Sequence, residues 1–224
     1  MLYAQEERRP EQFVRSPRTA LQIEVAEGLV VPGFKMNFAR DEEIYGAGEE
    51  ADFVYKVISG VVRAHLILDD GRRQISAFLF PGDVFGLEPG DTHTASAEAV
   101  TECEIGLAKA NTLRRAAAED SMAALGLWDL TSRELLRVRE HLMLLGRKSA
   151  AERVASFLLE LTARSKDGKV SIPMSRLDIA DYLGLTIETV SRTLSKLERD
   201  GTIALPTSRQ IILTNRAAMS EAHA

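Results

Sequence analysis

Residues 175–201 read SRLDIADYLGLTIETVSRTLSKLERDG, and the spacing predicts two short helices joined by a tight turn. Ser175 caps the first helix, whose inner face is Ile179, Ala180 and Leu183; a small alanine suits close helix contact. Gly184 follows, where left-handed backbone ends a helix. Thr186 caps the second helix, Val190, Leu194 and Leu197 recur along its buried face, and Gly201 terminates it. This is the pattern of a helix-turn-helix, whose second helix enters the DNA major groove with its early residues. The outward positions there are Ile187, Glu188, Thr189, Ser191 and Arg192, followed by Ser195. Arginine donates two bonds to guanine O6 and N7, and glutamate accepts from the cytosine amino group. Glu188 and Arg192 stand four apart on one face, where they are expected to brace each other. The first five residues are therefore candidate base readers. The competing reading is a surface ion pair on a structural helical hairpin.

Working outward, Thr202 to Leu205 and Gln210 to Leu213 read as two strands around Pro206-Thr207-Ser208-Arg209, a hairpin that makes a wing. Arg209 at its tip, Lys196 on the second helix, and Ser175 and Arg176 at the start of the first are candidate phosphate contacts. Each reads equally well as an ordinary surface residue. Upstream, Ser149-Ala150-Ala151-Glu152 matches a capping box that opens a helix through Leu161. Gly146-Arg147-Lys148 is expected to interrupt the preceding helix and serve as a hinge.

That preceding helix starts at Ser121 and holds one interior glycine, Gly126, and no proline. Trp128, Thr131, Leu135, Val138, Leu142 and Leu145 recur at steps of three and four, one narrow seam with charged flanks. Trp128, Leu135, Val138, Leu142 and Leu145 are the candidate dimer interface; the other reading packs the helix on its own barrel. From about Leu21 to Leu107 the pattern is of short strands between glycine turns. Asp69-Asp70-Gly71-Arg72 is a hairpin signal, and Pro81-Gly82-Asp83 stops the strand from Gln74 to Phe80. The expected architecture is α+β. It comprises a tail over 1–20, an antiparallel β-roll over 21–120, a dimerisation helix over 121–146 and a winged helix-turn-helix over 147–224.

Charge follows the same division. Residues 1–146 carry a formal −8 and residues 147–224 carry +3, which puts any polyanion at the C-terminal end. One cysteine forms no internal disulfide and no cysteine-rich metal or iron–sulfur site by itself. Neither a secretory leader nor a run of about 18 apolar residues is evident, so the expected location is cytoplasmic, with no membrane partner.

The order of parts resembles the CRP–FNR superfamily of bacterial regulators from about Leu21 onward. Glu188-Thr189-Val190-Ser191-Arg192 resembles the E-x-x-S-R reading motif of its FNR and FixK branches. Pro81-Gly82-Asp83-Val84-Phe85-Gly86-Leu87-Glu88 and His93-Thr94-Ala95-Ser96-Ala97-Glu98-Ala99 look FixK-like in particular. The resemblance implies a cyclic-nucleotide-binding-type roll, a homodimer, a TTGA…TCAA-type palindrome in double-stranded DNA and recruitment of RNA polymerase. Members that bind cAMP carry an arginine beside the Ser-Ala of the roll, where it meets the cyclic phosphate. Here Thr94 and Ala95 precede Ser96-Ala97, and an anion without its cation is poorly held. The N-terminal cysteine cluster of FNR is also missing.

The expectation is therefore an activator with no cofactor and no metal, and no enzyme. The alternative keeps the DNA-binding domain and gates it with an unidentified ligand, or haem held by His65 or His93, in the roll. A cupin-like metal enzyme is disfavoured because those two histidines stand alone. A winged helix used for protein contacts is the remaining alternative. Cys103 reads as a buried small hydrophobe.

Overall fold

The computed structural model of the chain describes residues 19–164, 169–207, 209–215 and 219. Residues 1–18, most of the expected tail, lie outside that set, as does Ser208 in the expected wing tip.

Apolar alternation builds the first half. Strands β1 (Thr19–Ala26), β2 (Leu29–Phe38), β3 (Glu43–Tyr45), β4 (Phe53–Ser59), β5 (Val62–Ile67), β6 (Arg73–Leu79), β7 (Val84–Phe85), β8 (Ser96–Ala99) and β9 (Cys103–Lys109) follow one another. They pair antiparallel into two sheets, ordered β1-β2-β9-β4-β7 and β3-β8-β5-β6. The facing sides bury Phe38, Tyr55, Val62, Leu79, Ile105 and Leu107 between them, as period-two strands require. Gly71, at φ +81°, turns the β5–β6 hairpin. Cys103 is buried, its thiol donating to the carbonyl of Val61, and burial pushes the thiol pKa up.

Helices follow the roll: α1 (Ala110–Glu119), then α2 (Ser121–Arg147), which Asp120 caps by accepting from the amide of Met122. The first turns of α2 lie on the roll. Gly126 sits so close to the β1–β2 turn that a Cβ there would stand 2.1 Å from the carbonyl oxygen of Glu27. Backbone against backbone gives way only if the helix lifts. Gly126→Ala is therefore expected to destabilise by about 1–3 kcal/mol despite the better helix propensity of alanine. Thermal unfolding reads this as a drop of roughly 2–4 °C per kcal/mol; an unchanged or raised Tm contradicts the packing.

The second half is α3 (Ala150–Ala163), β10 (Lys169–Ser171), α4 (Arg176–Leu183), α5 (Ile187–Arg199), β11 (Ile203–Thr207) and β12 (Gln210–Leu213). Its core joins Phe157, Leu158, Ile179, Leu183, Val190 and Leu194 to Ile203 and Ile211 of the wing. The wing is a three-stranded sheet, β10-β12-β11, one strand more than the sequence pattern suggests. The same core runs on to Ile75 and Phe78 of β6. The ring of Phe78 meets Phe157 at 6.2 Å and Tyr182 at 5.1 Å. The chain is thus α+β, an antiparallel β-roll carrying a long helix and a winged helix-turn-helix.

The expected interruption at Gly146-Arg147-Lys148 is corrected. Helix α2 continues through Arg147, and the break is confined to Lys148 and Ser149. Arg153 explains the sharpness of the stop. Its guanidinium donates to the carbonyl of Leu145 at 2.7 Å, its Nε to Lys148 at 2.9 Å, and its Nη1 to Leu183 at 3.0 Å. One cation thereby satisfies terminal carbonyls of both α2 and α4.

Candidate nucleic-acid interface

Three local devices shape the helix pair. Ser175 and Asp178 form a capping box at the start of α4, and Gly184 closes it in left-handed conformation at φ +61°. Thr186 then caps α5, accepting from the amide of Thr189. The apolar face of α5, Val190, Leu194 and Leu197, is buried. Geometry leaves Ile187, Glu188, Ser191, Arg192, Ser195 and Lys196 exposed along one outer surface. Thr189 differs: it is half-buried, and its hydroxyl shares a hydrogen bond with Thr186 at 3.1 Å.

The expected Glu188–Arg192 brace does not form: no ion pair links them among the described residues. Glu188 is instead drawn to the open end of α5. Its own backbone amide, the Thr186 hydroxyl and, more weakly, Arg192 hold its carboxyl below the usual range. A helix N-terminus attracts a carboxylate in this way. The acid is ionised and both side chains remain unspent on each other.

The candidate phosphate contacts divide. Lys196 and Arg209 are exposed, Arg209 beside the wing turn. Ser175 is exposed, but its hydroxyl is engaged with Asp178 in the capping box. Arg176 is half-buried, its Nη1 has no hydrogen-bond partner among the described residues, and burial lowers its pKa.

Along α2, Trp128 (69% exposed), Leu135, Val138 and Leu142 (67%) lie open on the surface of the single chain. Met122, Leu125, Leu136 and Met143, which the seam did not include, are exposed beside them. Exposed apolar residues thus run along much of α2 in the single chain. Leu145 is less open than the rest of the seam. It is half-buried, with Cδ2 3.5 Å from where a side chain on Gly184 would begin.

In the roll, His93 is buried and stacks on Tyr45 with ring centroids 3.6 Å apart; Tyr55 and Phe85 complete an aromatic cluster. Burial lowers the His93 pKa, and its Nδ1 stands 3.5 Å from Glu88 Oε1. Thr94 donates its hydroxyl to Glu88 as well. His65 is half-exposed on β5, its pKa also lowered by burial. Among the described residues no three metal-ligating side chains converge, and no helix is long and apolar enough to cross a membrane.

Comparison with known proteins follows this division. A Crp-like helix-turn-helix domain matches residues 152–222, and a cyclic nucleotide-binding domain matches residues 35–120. The nitrogen fixation regulation protein FixK of Azorhizobium caulinodans is 49% identical over 212 residues, covering 92% of this chain and 84% of its own. FixK of Rhizobium meliloti is 40% identical over 189 residues, 84% of this chain and 86% of its own. The solved structure of FixK2 from Bradyrhizobium japonicum superposes with a TM-score of 0.83 at 48% identity, spanning 86% of this chain and 98% of that one. A roll, a long helix and a capped helix pair with a wing, shared at this identity, make the chain a FixK-type transcription regulator of the CRP–FNR superfamily, not an enzyme.

Proposed function

We propose that the protein acts as a homodimer on a TTGA…TCAA-type palindrome in double-stranded DNA and activates transcription by recruiting RNA polymerase, without cAMP, haem or an iron–sulfur cluster. The observation that carries this reading is the outer face of α5, where Glu188, Ser191 and Arg192 are all exposed, Glu188 held only by the open end of its own helix. Glu188 and Arg192 read base edges; Ile187, Thr189 and Ser191 shape the contact, with Thr189 acting mainly through its methyl group. Lys196 and Arg209 take phosphates, and Ser175 and Arg176 follow at the α4 end. The two copies of α5 enter successive major grooves about one helical turn apart. In this division of labour residues 21–120 form the roll, α2 pairs the protomers, and residues 147–224 bind DNA in the cytoplasm.

Effector independence is supported by two features of the roll. Thr94 and Ala95 bring no cation to a cyclic phosphate, and the Thr94 hydroxyl is spent on Glu88. His93, one candidate haem ligand, is enclosed by its stack on Tyr45. Fluorescence anisotropy with a labelled palindromic duplex tests the whole reading. Tight binding without added nucleotide, lost on a scrambled duplex, is expected, with no change in Tm on adding cAMP. Equal affinity for both duplexes refutes sequence-specific recognition; a large saturable stabilisation by cAMP refutes effector independence alone.

A further inference from the structure

We infer that Arg63 and Arg73 of the roll are positioning residues for DNA binding: through Asp178 and Asp181 they hold α4, and with it α5, at a fixed angle to the dimer helix. The inference rests on the DNA-binding reading of α5 and adds what aims it.

Asp178 and Asp181 are three residues apart, on one face of α4, and that face is turned to the roll. Arg73 Nη2 donates to Asp178 Oδ1 at 2.6 Å, and its Nε donates to Asp181 Oδ2 at 2.8 Å. Arg63 Nη1 reaches both oxygens of Asp178, at 3.3 and 3.4 Å. The Gln74 side-chain amide adds a bond to the backbone carbonyl of Asp181 at 2.7 Å. Arg63 is itself anchored before it reaches α4. It lies directly opposite Glu98 across the β5–β8 ladder and donates to that carboxylate at 2.6 Å, and to Asp41 at 3.3 Å.

The contact is enclosed. Asp178 is 3% exposed and Arg63 is 8% exposed. Burial alone would raise the Asp178 carboxyl; hydrogen bonds from Ser175, then the two arginines, outweigh it and hold the group ionised. Buried ion pairs contribute little net stability, because desolvation offsets attraction, but they are demanding about geometry. Guanidinium groups are planar forks with fixed donor directions. Two forks on neighbouring strands therefore specify both the position and the rotation of α4. Helix α5 follows rigidly, since Val190 and Leu194 share a core with Ile179 and Leu183.

Only Lys148 and Ser149 separate α2 from α3, and the junction is held on one side by Arg153 and by the stack of His141 on Tyr182, ring centroids 4.3 Å apart. The arginines of the roll give α4 a second, independent support. A dimer reading two half-sites needs both recognition helices at a set separation. Protein whose helix pair wanders binds with an affinity reduced by the fraction correctly placed.

Arg73→Gln and Asp181→Asn provide the test, because both positions are partly exposed and neither lies on the outer face of α5. Asp181→Glu, which keeps a carboxylate for Arg73 and leaves Asp178 untouched, accompanies them as the conservative variant. All are assayed as full-length chains at a temperature where circular dichroism shows complete folding. Arg73→Gln and Asp181→Asn are each expected to bind the palindrome about 10–100-fold more weakly, with the ranking of base-substituted duplexes unchanged. Proteolytic cleavage near Lys148 is expected to accelerate in parallel. Asp181→Glu is expected to keep most of the affinity and protection together. Unchanged or tighter binding by folded Arg73→Gln and Asp181→Asn overturns the inference, as does faster cleavage with no loss of affinity. A wild-type protein that fails to prefer the palindrome would instead defeat the underlying DNA reading.

Discussion

Leu142→Glu is expected to convert the protein to a monomer and to weaken its hold on a two-half-site duplex by about 10²–10⁴-fold. The size follows from geometry. Leu142 is 67% exposed in the single chain and sits in line with Trp128, Leu135 and Val138 on α2. A two-fold axis along such a helix brings each seam residue near its own copy. Glutamate there places two like charges together at the two-fold axis, and burying an unpaired carboxylate is costly in itself. Losing the partner removes the second half-site as an intramolecular event, which is where most of the affinity of a tethered pair resides. The variant leaves α5 untouched, so weak binding to a single half-site is expected to persist. Because the position is open in the monomer, secondary structure by circular dichroism is expected to match the wild type. Sedimentation velocity gives the oligomeric state and anisotropy the affinity. A Leu142→Glu protein that still sediments as a dimer and binds as before removes α2 from the interface.

How much of this was written in the sequence depends on how local the physics is. Ser149-x-x-Glu152, Ser175, Gly184 and Thr186 are capping signals within four residues of what they cap, and each stands in the structure where its spacing puts it. The Asp-Gly hairpin and the buried face of α5 are local in the same sense. Contacts between distant segments left no such trace. Arg63 and Asp178 meet across 115 positions, and nothing in either neighbourhood marks an arginine and an aspartate as partners. Arg153 looks like one more surface base on α3, yet it bonds carbonyls at the end of α2, a contact that nothing near Gly146 announces. Leu145 keeps the seam's spacing and is half-buried beside the turn at Gly184, a distant contact its neighbourhood does not announce. Glu188 and Arg192 show the converse: a local pairing rule met a stronger local competitor, the free amides at the start of α5. The strand β10 pairs only with β12, some forty residues on, and is too short to announce itself by alternation.

Arg192→Ala is expected to cost about 1–3 kcal/mol on the cognate duplex, roughly 5–150-fold, and to flatten the preference for guanine at one symmetric position of the palindrome. Arg192 is exposed, makes no ion pair among the described residues, and projects from the same outer surface as Glu188 and Ser191. Its guanidinium is therefore available to the O6 and N7 edge of a guanine. Charge loss alone would also weaken binding, so the discriminating control is Lys196→Ala on the same helix. Lys196 is a proposed phosphate contact. Its loss is expected to weaken all duplexes alike and to reduce the slope of log affinity against log salt by about one unit. Arg192→Ala should behave differently, with the larger loss on the cognate duplex and a smaller loss on duplexes already substituted at that guanine. A double-mutant cycle between the residue and the base pair measures the difference. Coupling that is large for Arg192 and near zero for Lys196 separates base reading from charge neutralisation. If instead both substitutions lower affinity uniformly and leave the guanine preference intact, α5 meets DNA by its charge alone. The base-reading role then passes to another surface, since the exposed face of one helix cannot read a base and be indifferent to it.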